Sequence, residues 1–299
     1  MPKSPDPATG HSGRRRWADR PFFAALIGLA GLYLLMIVAM LAADLWYAVE
    51  SVSFSELGDL FRDDNIAYSV KLTVFSCTVT AILSVIVAVP AGYLLSRHRF
   101  PGKTLVDAVL DIPIVLPPLV VGLSLLILFN KMPPWGPSFE VMAEKAMRAV
   151  FPGMRSPGVT YNVPAVILAQ FSVACAFAVR TMRNTFDQIS PRTEQVALTL
   201  GCTRARAFLS VVVPEAWRGV STAGTLAWTR AMGEFGPILV FAGSTRGRTE
   251  VMSSTVFLEF SVGALERAVV VSLTMVTIAV VVLVAVRVWD RGETVYPRH

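Results

Sequence analysis

The sequence predicts an all-α, polytopic membrane protein with six transmembrane helices. Hydrophobic residues make up 54% of the 299-residue chain and charged residues only 16%, against about a quarter charged in an ordinary soluble domain. The charges are also unevenly placed, leaving long runs without any. A bilayer core about 30 Å thick needs roughly 20 helical residues at 1.5 Å rise each, and several runs reach or approach that length.

Five runs are free of charge: Phe22–Ala43, Leu72–Leu95, Ile112–Phe129, Val159–Val179 and Ala268–Val286. A sixth, Val220–Ala242, is apolar except for Arg230 and Glu234. The first run follows Arg14, Arg15 and Arg16 and so resembles a secretory leader. Its apolar core is longer than the roughly 7–15 residues such leaders carry, and it reads as a retained helix. One membrane domain is therefore expected over residues 21–290, with a polar, basic, disordered tail at 1–20 and a short tail at 291–299.

The net charge of +6 follows a membrane topology and does not point to nucleic acid. With the N-terminus inside, the inner segments carry 5, 3, 6 and 3 Lys plus Arg, 17 together; the outer segments carry 9, and Arg230 lies within a run. This asymmetry obeys the positive-inside rule, so both termini are expected in the cytoplasm. Cys77, Cys175 and Cys202 stand at no metal-ligand spacing and read as small packing residues.

Two connections are longer than simple turns. In the outer one, residues 130–158, Phe139–Val150 places Val141, Met142, Ala146 and Val150 near one helical face, the pattern of a helix lying on the membrane surface. In the inner one, residues 180–219, Ser190 can cap a helix, Pro191 suits its first turn, and Glu194 favours the positive end of its dipole. Gly201 can end that helix in the left-handed conformation. Thr203 can cap a second helix, and Pro214 marks its end or bend. Two short helices joined at a glycine read as a docking element.

Catalysis inside the membrane needs a nucleophile and a base within reach. The three histidines, His11, His98 and His299, all lie outside the apolar runs, which argues against an intramembrane enzyme. Gly102-Lys103-Thr104 has the end of a phosphate-binding loop, but that motif needs a glycine where Arg97 stands. No nucleotide site is expected in this chain.

The stretch from Glu194 through Gln195, Val196 and Ala197 to Gly201, then Val211-Val212-Val213-Pro214, resembles the signature loop of ABC-importer permeases. Asp111-Ile112-Pro113 with Leu116-Pro117-Pro118-Leu119-Val120-Val121-Gly122, and Trp228 to Gly236, resemble permeases of sulfate, molybdate and tungstate importers. The likeness runs from about residue 66 to 286. Gln195 and Val196 depart from the small or acidic residues usual there.

The resemblance implies the small, type I importer permease architecture in a bacterial or archaeal inner membrane. It also implies a second copy forming a homodimer, an ABC ATPase subunit that binds the ATP and docks on the Glu194–Gly201 helix, and an extracytoplasmic binding protein. The substrate would be a tetrahedral oxyanion moved by alternating access. Another small solute, or a transporter working without ATP, are the competing readings; the latter would be expected to show inverted repeats, and none is seen. Arg230 and Glu234, four apart, can either pair with each other or place Arg230 on the anion's path. Pro113, Pro117 and Pro118 break the third run and mark either a gate or a kinked packing helix.

Overall fold

The computed structural model describes residues 20–51, 63–150 and 158–292, and every regular element among them is helical. In chain order these are α1 (Arg20–Ser51), α2 (Asp64–Arg97), α3 (Lys103–Val115), α4 (Pro118–Lys131), α5 (Phe139–Val150), α6 (Val163–Gln188) and α7 (Pro191–Thr199). There follow α8 (Arg204–Ala207), a π-turn at Phe208–Val212, α9 (Val213–Glu215), α10 (Trp217–Met232), α11 (Gly236–Phe241), α12 (Met252–Ser261) and α13 (Leu265–Gly292). The chain divides into two compact units, residues 1–53 and 54–299. Helix α1 is the regular element of the first and is apolar around its whole circumference, as a lipid-facing helix must be. The expected tails lie outside the described residues apart from Arg20, Arg291 and Gly292.

The second unit is organised on α2. Its inward face repeats small residues turn by turn: Ser69, Thr73, Ser76, Thr80, Ser84, Ala88 and Gly92 are all buried. Several of these hydroxyls return to their own helix, Ser69 donating to the Ile66 carbonyl and Thr73 to that of Ser69 at 2.9 and 2.7 Å. With most of these hydroxyls bonded to α2 itself or to α6 and no bulky side chains in the way, α2 meets α6 and α10 at close range. Gly92 marks the close approach of α2 to α6, where an added Cβ would stand 2.7 Å from Met182 Cβ and 2.8 Å from the Arg183 nitrogen. Helix α6 answers with Ala165, Ala169, Ala174, Ala178 and Met182, and α10 with Ala223, Ala227 and Ala231, all fully buried.

Two of the six expected spans are not single helices. Four helices, α1, α2, α6 and α13, are long and apolar enough to cross a membrane, and α3 with α4 forms a fifth candidate bent by 112°. The bend falls at Leu116, whose backbone is extended at φ −66°, ψ 141°. A residue before proline is pushed out of the helical region, and here Pro117 follows. The sixth expected span, Val220–Ala242, is divided between α10 and α11, 16 and 6 residues long, at Gly233–Phe235.

The unit has two polar ends. At one, the Tyr68 hydroxyl donates to the Arg248 carbonyl at 2.9 Å, Arg248 donates to Asn162 at 2.8 Å, and Arg267 faces Asp63 at 3.9 Å. Helix α5 occupies the residues expected for it and is anchored at this end. The Glu140 carboxylate accepts the Val159 amide at 2.8 Å and both the Thr160 amide and hydroxyl, while Ala143 and Met147 pack on the buried core. At the other end, α2, α3 and α6 are tied together: Ser96 donates to Asp187 at 2.6 Å and Arg183 pairs with Asp107 at 2.7 Å.

Adding a methyl where α2 meets α6 should cost about 1–3 kcal/mol through overpacking. Gly92→Ala is expected to lower the melting temperature of the detergent-purified chain. Gly224→Ala, whose new carbon meets only Val85 at an ordinary 3.4 Å, is expected to leave it unchanged.

Candidate functional site: two packed helix breaks and a candidate docking element

The two helix breaks lie against each other. A Cβ on Gly236 would stand 3.0 Å from Pro118 Cβ and 3.1 Å from the Leu119 nitrogen, so the start of α11 packs on the start of α4. Pro118 is the first residue of α4, where the missing N–H removes no helical bond. The groups freed at the α10 end are satisfied by side chains. Buried Gln170 on α6 donates to the Ala231 carbonyl at 3.2 Å and accepts from Thr80 at 3.3 Å. Ser253 donates to the Glu234 carbonyl at 2.7 Å.

At this break Arg230 and Glu234 form an ion pair at 2.8 Å, Arg230 one-third exposed and Glu234 at 1%. The guanidinium also sits over the Phe177 ring, 5.5 Å from its centroid. Of the two alternatives left open by the spacing, the structure shows the pairing, with the Arg230 guanidinium one-third exposed. Pro117 and Pro118 stand at the bend between α3 and α4. Pro113 lies within α3, one turn before the bend.

The two short helices expected to serve as a docking element form as their residues dictate. The Ser190 hydroxyl accepts the Arg192 amide, and that of Thr203 accepts the Arg206 amide, each at 3.3 Å. Gly201 takes φ +88°, and the paired bonds from Gly201 N to the Leu198 carbonyl and Cys202 N to the Ala197 carbonyl, both 3.1 Å, close the helix in a Schellman turn. Pro214 lies in α9 directly after the π-turn.

Glu194 faces inward. Its carboxylate accepts the Tyr93 hydroxyl and lies 4.0 Å from Arg97, and it is largely shielded. Tyr93 is wedged between Phe186 and Phe208, with centroids at 5.7 and 4.7 Å. Ala197 is buried as well. The outward face of the element is Gln195, Val196, Leu200 and Leu209, with Leu200 at 80% exposure. Leu200 and Leu209 carry no periodic signal in so short a segment, and the sequence did not single them out.

A polar cluster joins the two regions. Along α6, Arg180 faces Asp111 at 3.7 Å, and Arg183 faces both Asp107 and Asp187. The i, i+4 spacing of Asp107 and Asp111 was the available signal for a shared face. At the opposite end of the unit, burial pushes the Glu250 carboxyl above the ordinary carboxylate range. Thr255 and Arg246 oppose that shift, and Glu259 and Asp63 reinforce it.

Comparisons with known proteins converge on one class. Residues 88–294 match the family described as the binding-protein-dependent transport system inner membrane component. The chain is 30% identical over 237 residues to the sulfate transport system permease protein CysT of Escherichia coli (strain K12), covering 79% of this chain and 81% of that one. It is 31% identical over 219 residues to the molybdate/tungstate transport system permease protein WtpB of Pyrococcus furiosus, covering 73% and 74%. The crystal structure of a bacterial alginate ABC transporter in complex with an alginate pentasaccharide-bound periplasmic protein shares the fold. Its TM-score is 0.72 at 14% identity, covering 97% of this chain and all of that one.

The chain belongs to the family of inner membrane components of binding-protein-dependent transport systems. Within it, the chain is an ABC-importer permease of the sulfate, molybdate and tungstate type, a multi-pass transport subunit and not a catalyst.

Removing one member of a buried pair leaves the other uncompensated, at a cost of about 3 kcal/mol. Arg230→Met is expected to lower thermal stability through the stranded Glu234. Arg230→Met with Glu234→Gln should recover most of it, as read by the melting temperature of the purified chain.

Proposed function

We propose that this chain forms the path of an ATP-driven importer for a tetrahedral oxyanion such as molybdate, tungstate or sulfate. The observation that carries the reading is Arg230, held by Glu234 beside the broken α3–α4 segment. A guanidinium offers several donors to a tetrahedral anion without changing charge. The relatives named for sulfate and for molybdate and tungstate transport support that class of solute, and they do not separate its members. Arg230 attracts the anion, Glu234 fixes its position, and Pro113, Pro117 and Pro118 supply the bends through which the path opens and closes.

The α7 end faces the cytoplasm, as do both termini, and an ATPase subunit carrying ATP docks there. The outward face of α7 sets the terms of that docking. Val196 and Leu200 insert into a groove of the ATPase in helix-in-groove fashion, with Gln195 beside them. Glu194 does not reach across the interface; it fastens α7 to Tyr93 and Arg97, so that a push on α7 is transmitted to α2. Gly201 and Pro214 bound the moving element, and Ala197 seats it. A second copy of the chain closes the path, and an extracytoplasmic binding protein delivers the anion to the opposite end. Alternating access follows from ATP-driven closure of two such docking elements.

Uptake of labelled molybdate in cells with and without this chain tests the reading, with tungstate and sulfate as competitors. Loss of uptake on deletion, with competition by either anion, is the expected result, and unchanged uptake of all three would overturn it. Val196→Arg with Leu200→Arg should reduce ATPase copurification about tenfold with membrane insertion intact. Glu194→Lys should retain insertion and lose transport.

A further inference from the structure

We infer that Arg180 and Arg183 form a second anion-binding station at the α7 end of the path, masked in this conformation by the carboxylates of α3. The inference rests on the oxyanion-importer reading and extends it to the step at which the anion leaves.

The station is a polar cavity of about 220 Å³ whose charged and amide groups are Arg180, Arg183, Asn184, Asp107, Asp111 and Asp187. Two guanidiniums face three carboxylates, so as it stands the cavity carries an excess negative charge and repels an anion. Two of those carboxylates arrive on one helix. Asp107 lies 2.7 Å from Arg183 and Asp111 3.7 Å from Arg180, and both belong to α3.

Helix α3 is held in an unusual way. None of its residues is buried, and it departs from α4 by 112° across an extended Leu116. Its attachment to α6 combines the apolar contact of half-buried Leu110 with the two ion pairs of Asp107 and Asp111. Swinging α3 about Leu116 takes both of its aspartates away together. The balance in the cavity then inverts, with Arg180 and Arg183 facing Asp187 alone, and Asn184 adding neutral donors. That composition suits a doubly charged tetrahedral anion.

The location fits a path. Arg230 sits over Phe177, and Arg180 follows Phe177 by three residues, about 4.5 Å of helix rise; Arg183 lies one further turn on. Three guanidiniums thus descend along α6 from the packed helix breaks towards α7. The docking element also reaches the station. Asp187, 3.9 Å from Arg183, accepts the Ser96 hydroxyl at 2.6 Å. Arg97, the next residue on α2, donates to the Ile189 carbonyl at 2.9 Å and faces Glu194. A displacement of α7 is therefore felt at the carboxylate that competes with the anion for Arg183.

The test uses the assembled permease–ATPase complex in detergent, with molybdate binding read by equilibrium dialysis and uptake read in cells. Asp107→Asn with Asp111→Asn removes the mask while keeping side-chain size, and is expected to tighten molybdate binding about tenfold and to slow uptake. Adding Arg180→Gln and Arg183→Gln to that variant should abolish the gain, whereas Arg180→Lys and Arg183→Lys should retain part of it. Copurification of the ATPase establishes assembly for each variant. Affinity within twofold of the parent in the Asn variant, or a gain that survives both Gln substitutions, overturns the masked station and leaves the importer reading intact. Unchanged uptake of molybdate, tungstate and sulfate on deletion of the chain overturns both.

Discussion

The approach of α2 to α6 is the constraint on which the second unit depends. In lipid, apolar side chains gain little by leaving one apolar surface for another, so helices associate through close packing and a few polar contacts. Helix α2 meets that requirement with a hydroxyl, alanine or glycine at every turn of one face, ending in Gly92 against Met182. Once the two backbones are this near, α10 can lie across both with its own alanines, and Gln170 is brought within reach of the Ala231 carbonyl. The position of Arg230 follows from that docking. The guanidinium proposed to meet the anion is thus set by a contact whose own residues have no chemistry.

Broken helices inside a membrane carry a second constraint, because a backbone group without a partner there costs several kcal/mol. The chain resolves it by placing its two breaks together and lending side chains from elsewhere. Pro118 starts a helix where no N–H is needed, Gln170 and Ser253 cover carbonyls near Gly233, and α11 packs onto α4 at Gly236. The same arrangement leaves α3 at the margin of the packed body, attached through Leu110 and two ion pairs. The packed breaks and the half-exposed α3 meet at the extended backbone of Leu116.

Much of this was legible from residue pattern. Local chemistry wrote the caps, the left-handed Gly201 and the bounds of α5, since each depends on a few neighbouring residues. The apolar runs located the spans because hydrophobic thickness is a length. What pattern did not show was direction. Glu194 reads as an exposed acid in the first turn of a helix, and it turns inward because Tyr93 and Arg97, about a hundred residues earlier, happen to stand beneath it. The Arg180–Asp111 and Arg183–Asp107 pairs likewise need α3 and α6 to be neighbours. The division of Val220–Ala242 was written in Gly233 and Gly236-Pro237, but an unbroken apolar composition outweighed them. The outer helix α5 reads as amphipathic either way; only Glu140 gripping Val159 and Thr160 fixes it to the protein.

The outward face of α7 and the π-turn has a further consequence for the chain before it finds a partner. Val196, Leu200 and Leu209 stand 57%, 80% and 65% exposed, an oily knuckle at a water-facing end otherwise rich in arginine. Apolar clusters of this kind are what chaperones and proteases survey, and small differences in exposure shift steady-state abundance severalfold. The surface proposed to receive the ATPase would thus also be the mark of an orphan subunit, tying the amount of permease in the membrane to the supply of whatever covers it.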